Sequence, residues 1–312
     1  MSVFEIPVGT KKQNYVPVPE LHTALPVTVV RGCGCGPNVL ITAGIHNEEY
    51  VGIETANRLA LELDPARIRG AVAIIHLCNP TGFAALSRDV VPEDGQNLNR
   101  CFPGSADSGP THRLAHFISE DFIKPASVHI DLHCGGGREE LAPHVYYQAM
   151  AGPWLEEASK KLALLMDADW AVASKTLSGS AFSHASQYGI PSILMERGGM
   201  AEWSEDEVRA YLADVHRILH RVGVLAESTP QWRVPQSIEQ CTYYTSEADG
   251  CWYRARPVGS PMRKGDALGE VRDPFGTVLY APKAQKSGVL LYQVGAFSVR
   301  RGDLLAACGD LP

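Results

Sequence analysis

Through the first two thirds of the chain, hydrophobic and polar positions follow two alternating rhythms. Short apolar runs at 27–30, 39–42, 71–77, 127–133, 144–148, 171–174 and 191–195 are bounded by Gly, Pro, Asn or Ser and predict strands. Between them the spacing turns helical. After Gly44 the apolar positions Val51, Ala56 and Leu59 predict a helix from just past His46 to about Leu63, stopped by Asp64 and Pro65. Further helices are predicted over 111–122, 153–166, 181–188 and 205–222, the last capped by Ser204. The run 71–77 is apolar almost throughout, as strands buried inside a parallel sheet are. Strands 27–30 and 39–42 flank a Gly/Cys turn and are expected to pair with each other. Residues 1–26 read as an irregular lead-in. Residues 80–110 lack periodicity, and structureless loops of that length are usually functional or disordered. This loop contains Arg88, Asn99 and Arg100, which argues for function. Strands alternating with helices imply a mixed, mostly parallel sheet with helices on both faces.

After Ala226 the rhythm changes. A Pro-containing linker is expected at 228–235, and no helical period follows it. Instead 258–268 and 294–305 form an imperfect repeat: Val-Gly, a basic pair, Gly-Asp and a leucine. Such a repeat suggests two intertwined β half-units, like a biotinyl- or lipoyl-type barrel sandwich. A carrier domain would present a lysine on the joining turn. Here the turn at 273–276 has none, and Lys283 lacks flanking methionines. The expectation is therefore a catalytic unit over 1–227 and a small β domain over 236–312, packed beside the site and carrying no biotin or lipoyl group.

Composition narrows the class. The 312 residues are 45% hydrophobic and 20% charged, ordinary for a soluble globular protein. A formal charge of −7 with no basic run argues against a nucleic-acid partner. No signal peptide is visible, and no apolar run approaches the ~20 residues of a membrane span. Eight scattered cysteines without a C-x-x-C pair suggest reduced thiols in a cytoplasmic protein. Self-association as a homo-oligomer is left open.

The chemistry gathers at strand ends. His46 and Glu49, three residues apart where a strand gives way to a helix, can converge on one metal ion, although the pair alone also suits a polar loop. His133 ends the strand at 127–133 just before three glycines. Between them stand Asn97, Asn99, Arg100, Phe102, Pro103 and Gly104, and Glu196 follows ahead of Gly198 and Gly199. In this order the residues resemble the succinylglutamate desuccinylase/aspartoacylase family, relatives of the zinc carboxypeptidases, with its G-x-H-x-x-E, N-R-x-F-P-G-like and D-L-H motifs. The resemblance covers roughly 38–200.

It implies a three-layer α/β/α carboxypeptidase-like domain, with the C-terminal β domain beside it. It also implies one zinc ion per chain, held by His46, Glu49 and His133 with a position left for water. Glu48 is a rival ligand, since this chain has Asn47 and Glu48 where the family usually has glycine and asparagine; its spacing suits the turn less well. Asp131 is a candidate acceptor behind one of the histidines. By resemblance Glu196 is the general base and acid, Arg88 polarises the scissile carbonyl, and Asn99 with Arg100 grips a substrate carboxylate. The implied activity is a zinc-dependent amidohydrolase that deacylates an N-acyl amino acid or similar small amide, acting on carbon–nitrogen bonds other than peptide bonds. A zinc carboxypeptidase for small peptides is the nearest rival, and a non-catalytic binding protein of the same fold is the third reading.

Overall fold

The computed structural model describes residues 2–177, 179–226 and 231–311, so residues 227–230 at the unit boundary and linker start lie outside the described residues. In chain order the first unit comprises β1 (Thr10–Pro17), β2 (Ala24–Arg31), β3 (Gly34–Ala43), α1 (Tyr50–Glu62), β4 (Arg69–Ile75), α2 (Pro80–Ala85), α3 (Pro110–Ile118), β5 (Val128–His133), β6 (Glu139–Leu141), β7 (His144–Gln148), α4 (Pro153–Ala163), β8 (Trp170–Ser174), α5 (Ala181–Gln187), β9 (Ser192–Glu196) and α6 (Glu205–Arg221). All these strands but β6, together with β10 (Gln236–Ile238), build a nine-stranded sheet in the order β1-β2-β4-β3-β5-β9-β7-β8-β10. The central strands β4, β3, β5 and β9 run parallel. Antiparallel pairs enter at β1–β2, β2–β4 and β7–β9.

Strand alternation sorts the core into two layers. Val39, Ile41, Ile130, Leu132, Ile193 and Met195 face α1, α4 and α6. Leu40, Ala73 and Ile75 face the opposite way, toward α3 and α5. The three-layer α/β/α architecture and the mostly parallel sheet are as expected.

One pairing differs. β2 and β3 do not form a hairpin, because β4 lies between them and pairs with both. The glycine-rich segment after β2 is a crossing rather than a turn. A Cβ on Gly32 would sit 1.9 Å from the Ile68 carbonyl oxygen, and one on Gly36 would sit 2.7 Å from the Gly70 nitrogen. Only glycine lets one backbone pass so close to another. The loop after β4 is also more ordered than expected. Asn79 caps α2 through Gly82 N–H (3.0 Å) and donates to Asn47 (3.0 Å) and to the Val90 carbonyl (3.0 Å).

The C-terminal region is all β: β11 (Cys241–Thr245), β12 (Gly250–Arg254), β13 (Pro261–Met262), β14 (Gly269–Arg272), β15 (Val278–Tyr280), β16 (Gly288–Val294), β17 (Ser298–Val299) and β18 (Leu304–Asp310). They form two antiparallel sheets around their own core, including Trp252, Leu268, Val271 and Leu305. Two strands join the units. β10 adds to the large sheet beside β8, and β6 pairs with β16.

A buried charge cluster anchors the end of β9. Arg197 donates to Asp214 of α6 (3.1 Å) and to the Asp167 carbonyl (2.6 Å), while Arg217 also pairs with Asp214. Asp214 is fully buried. Replacing it with alanine takes the carboxylate from buried Arg217 and leaves Arg197 only the Glu207 carboxylate at 3.6 Å, so Asp214→Ala is expected to destabilise the fold by about 3–5 kcal/mol, read as a lowered midpoint in denaturant unfolding.

Candidate active site

The chemistry sits at the carboxyl ends of the parallel strands, where open α/β sheets carry their sites. β3 ends at Ala43, and Gly44 turns the chain with φ +62°, a conformation that glycine adopts freely. His46 follows on the turn, and Glu49 stands at the start of α1. Its side chain does not cap the helix. It points instead at two imidazoles: Oε1 lies 2.7 Å from His46 Nδ1 and Oε2 2.8 Å from His133 Nδ1. His133 comes from the end of β5, where Tyr211 of α6 donates to its carbonyl (2.5 Å).

Each histidine also presents its outer nitrogen to an acceptor. His46 Nε2 is 3.2 Å from Asn97 Oδ1, which also accepts the Asn99 N–H (2.8 Å) and is thereby identified as the amide oxygen. His133 Nε2 is 3.2 Å from Asp131 Oδ2. With Nε2 turned toward these acceptors, both Nδ1 atoms face Glu49, and a bound cation would displace the protons they share with it. Ligand atoms of His46, Glu49 and His133 all lie within 4.8 Å of one another. Glu49 Oε2 is buried and, although 2.8 Å from His133 Nδ1, makes no hydrogen bond. Two imidazole nitrogens and a carboxylate converging this closely, with Glu49 Oε2 left unpartnered, fit a divalent ion, and this donor set suits zinc. Glu48 is not in this group; its carboxylate accepts the Gly137 N–H (2.9 Å).

Among its own side chains the cluster is held by charge: burial opposes it, but Glu49 draws His46 up, and Glu49 with Asp131 holds His133 well above the usual histidine range. Burial opposes ionisation of Glu49, but His133 and His46 outweigh it and hold the carboxyl at about 2. Glu196, at the end of β9 and in register with His133, behaves oppositely. Burial pushes its carboxyl well above the usual range; His133 opposes this, while Glu49, Glu139 and Asp131 reinforce it. Its Oε2 is buried without a hydrogen-bond partner.

Above the histidines opens a cavity of about 370 Å³, whose wall includes His46, Glu49, Arg88, Arg100, Glu139 and Tyr292. Arg88 has φ +64°, the left-handed region that non-glycine residues seldom occupy. The C-terminal domain supplies part of the wall: Tyr292 of β16 donates to Glu139 of β6 (3.2 Å), and Asp303 and Leu304 lie nearby on the lining.

The model of the succinylglutamate desuccinylase/aspartoacylase catalytic domain matches residues 35–222. The chain belongs to this family. Among its relatives is the N-alpha-acetyl-L-2,4-diaminobutyric acid deacetylase of Halomonas elongata, 26% identical over 296 residues, 92% of this chain and 86% of the relative. The fold is shared with the product-bound ectoine utilization protein EutE (DoeB) of Ruegeria pomeroyi, at a TM-score of 0.90 and 23% identity over 98% of both chains. A succinylglutamate desuccinylase/aspartoacylase from Rhodobacter sphaeroides superposes with a TM-score of 0.87 at 25% identity, again over 98% of both.

Within this desuccinylase/aspartoacylase framework, the structure brings together His46, Glu49 and His133, with Glu196 beside His133, and sets Arg88 and Arg100 on the cavity wall. Asn99 is placed elsewhere. It is buried, and its Oδ1 accepts the Ala181 N–H at the start of α5 (3.0 Å), while Asn97 lines the cavity. Sequence reasoning missed Glu139 and Tyr292; their contact joins residues 153 positions apart, and no local pattern marks it. His133→Ala should lose metal affinity while the far-ultraviolet spectrum stays native. Elemental analysis after dialysis checks this, and stoichiometric zinc in the variant would remove His133 from the ligand set.

Proposed function

We propose that the chain is a zinc-dependent amidohydrolase that removes the acyl group from an N-acyl amino acid. The observation that carries this reading is the convergence of His46, Glu49 and His133 next to the buried carboxyl of Glu196, whose strand pairs in register with that of His133. His46, Glu49 and His133 would hold zinc, which would supply Lewis acidity and activate the attacking water at neutral pH. Glu196 takes a proton from the attacking water and delivers it to the amine nitrogen as the carbon–nitrogen bond breaks, two tasks that suit a carboxyl with a raised pKa. Arg88 offers its guanidinium to the amide carbonyl as negative charge builds on that oxygen. Arg100, which spends one N–H on the Asn99 carbonyl (2.9 Å), receives the substrate carboxylate. Asn99 supports this grip through the backbone, since its side chain is engaged with α5.

The cavity favours a small substrate over a peptide. β16 and the start of β18 wall the mouth, and about 370 Å³ accommodates an acylated amino acid. Its lining also carries Glu48 and Glu139, fixed by the Gly137 and Gly136 N–H groups (2.9 and 3.0 Å). Among the described residues neither carboxylate pairs with a lysine or arginine. An amino acid with a second, free amine suits these acids, which agrees with the substrate named for the Halomonas elongata relative.

A hydrolysis screen of zinc-loaded protein against N-acyl amino acids and dipeptides tests the reading. Acylated amino acids should be hydrolysed and dipeptides left, with loss of turnover in a chelator; preference for dipeptides would favour the carboxypeptidase, and no turnover a binding protein. Glu196→Gln should keep zinc and lose ~10²–10⁴-fold in kcat, so near-normal turnover would reject Glu196 as the proton carrier. The two charges on the wall should separate in KM. Arg100→Ala should raise KM for every carboxylated substrate, whereas Glu139→Gln should raise it for N-acetyl-2,4-diaminobutyrate but hardly for N-acetyl-2-aminobutyrate.

A further inference from the structure

Behind His133 the sheet buries an unbroken line of polar side chains. Thr42 of β3 and His129, Asp131 and His133 of β5 are all 1% exposed or less. Thr42 and Asp131 are register partners on adjacent parallel strands. The Thr42 hydroxyl oxygen lies 2.6 Å from Asp131 Oδ1 and 2.8 Å from His129 Nε2. Asp131 Oδ2 in turn lies 3.2 Å from His133 Nε2, an ion-pair contact rather than an aligned hydrogen bond, and among the described residues neither atom has a hydrogen-bond partner.

The direction of this line follows from counting hydrogens. A hydroxyl has one hydrogen to give, and a carboxylate can only accept. Thr42 therefore donates to Asp131, and toward His129 its oxygen can only receive. His129 must then carry its proton on Nε2. We infer that Thr42 and His129 are positioning residues for the metal group: a one-way chain, His129 to Thr42 to Asp131, holds the Asp131 carboxylate against His133 Nε2. With Nε2 so held, His133 offers Nδ1 to a metal ion on the side of Glu49 and His46. The far end of the chain is consistent, since His129 Nδ1 is buried with no partner, as an unprotonated nitrogen permits. Burial also drives His129 down to about 4, so it stays neutral at physiological pH; the nearby Asp131 only partly offsets this.

A purely structural role predicts something different. It predicts lost stability with zinc affinity unchanged, because removing the hydroxyl alone strands the buried Asp131 Oδ1 and the His129 N–H. Loss of an outer partner behind a metal-bound histidine typically costs 10–100-fold in metal affinity. The inference rests on the metal reading proposed above, so the experiment measures binding rather than turnover. Zinc affinity by chelator competition should fall about 10–100-fold in Thr42→Val and stay within about twofold of wild type in Thr42→Ser, which keeps the hydroxyl. In zinc-loaded wild-type protein, ¹⁵N shifts should show His129 protonated at Nε2 and bare at Nδ1, a readout that needs no variant to fold. Unchanged zinc affinity in Thr42→Val, or a proton on His129 Nδ1, would overturn the inference and leave the metal site standing. Wild-type protein that takes up no zinc would overturn both.

Discussion

A carboxylate buried between two imidazoles is the constraint on which this site depends. Taking an anion out of water costs several kcal/mol even after the protein relaxes, and the cost is offset only by close, well-placed partners. Glu49 meets it with His46 and His133, and its place at the start of α1 adds the favourable field of the helix N-terminus. The turn after β3, the end of β5 and the start of α1 are thereby held to one geometry. The surrounding packing keeps it there: Tyr211 fixes the His133 backbone from α6, and the Arg197–Asp214 pair ties the next strand end to the same helix.

Much of this was legible because it is local. The strand ends at His46, His133 and Glu196 follow from apolar runs stopping at glycines, and parallel strands bring such ends to one edge. The alternation in Val128-His-Ile-Asp-Leu-His133 already separates a core face from a polar one, and the structure uses it so: Ile130 and Leu132 pack under the helices while His129, Asp131 and His133 form the buried polar line. The Gly-Cys turn misled because glycine serves tight turns and close crossings equally well, and only the position of β4 distinguishes them. Asn97 and Asn99 are two residues apart in one short motif, yet a single helical turn points one at His46 and the other into α5. Which asparagine faces the cavity is decided by that turn, which composition does not encode.

The cavity wall lay beyond sequence reasoning for a different reason. The expected pattern placed a β domain near the site, but its contribution runs through strand pairing between distant segments. Glu139 is held by Gly136 on one side and by Tyr292 on the other, so its orientation depends on β6 and β16 lying in register. Arg254 and Gln293 bind the neighbouring Glu140 and brace the same junction.

The strand β10 gives this arrangement a further meaning. It leaves the linker, joins the edge of the large sheet beside β8, and only then does the chain enter the smaller domain. Ile238 at its end is fully buried and packs with Val172 on one side and with Val289 and Leu291 on the other. The two units are thus stitched rather than tethered. A chain ending before β10 would expose the backbone of β8 as an unpaired edge, an invitation to associate with other strands. Gene fusions or exchanges that treat the β domain as a portable module would carry that liability with them, so the two parts are bound to diverge together.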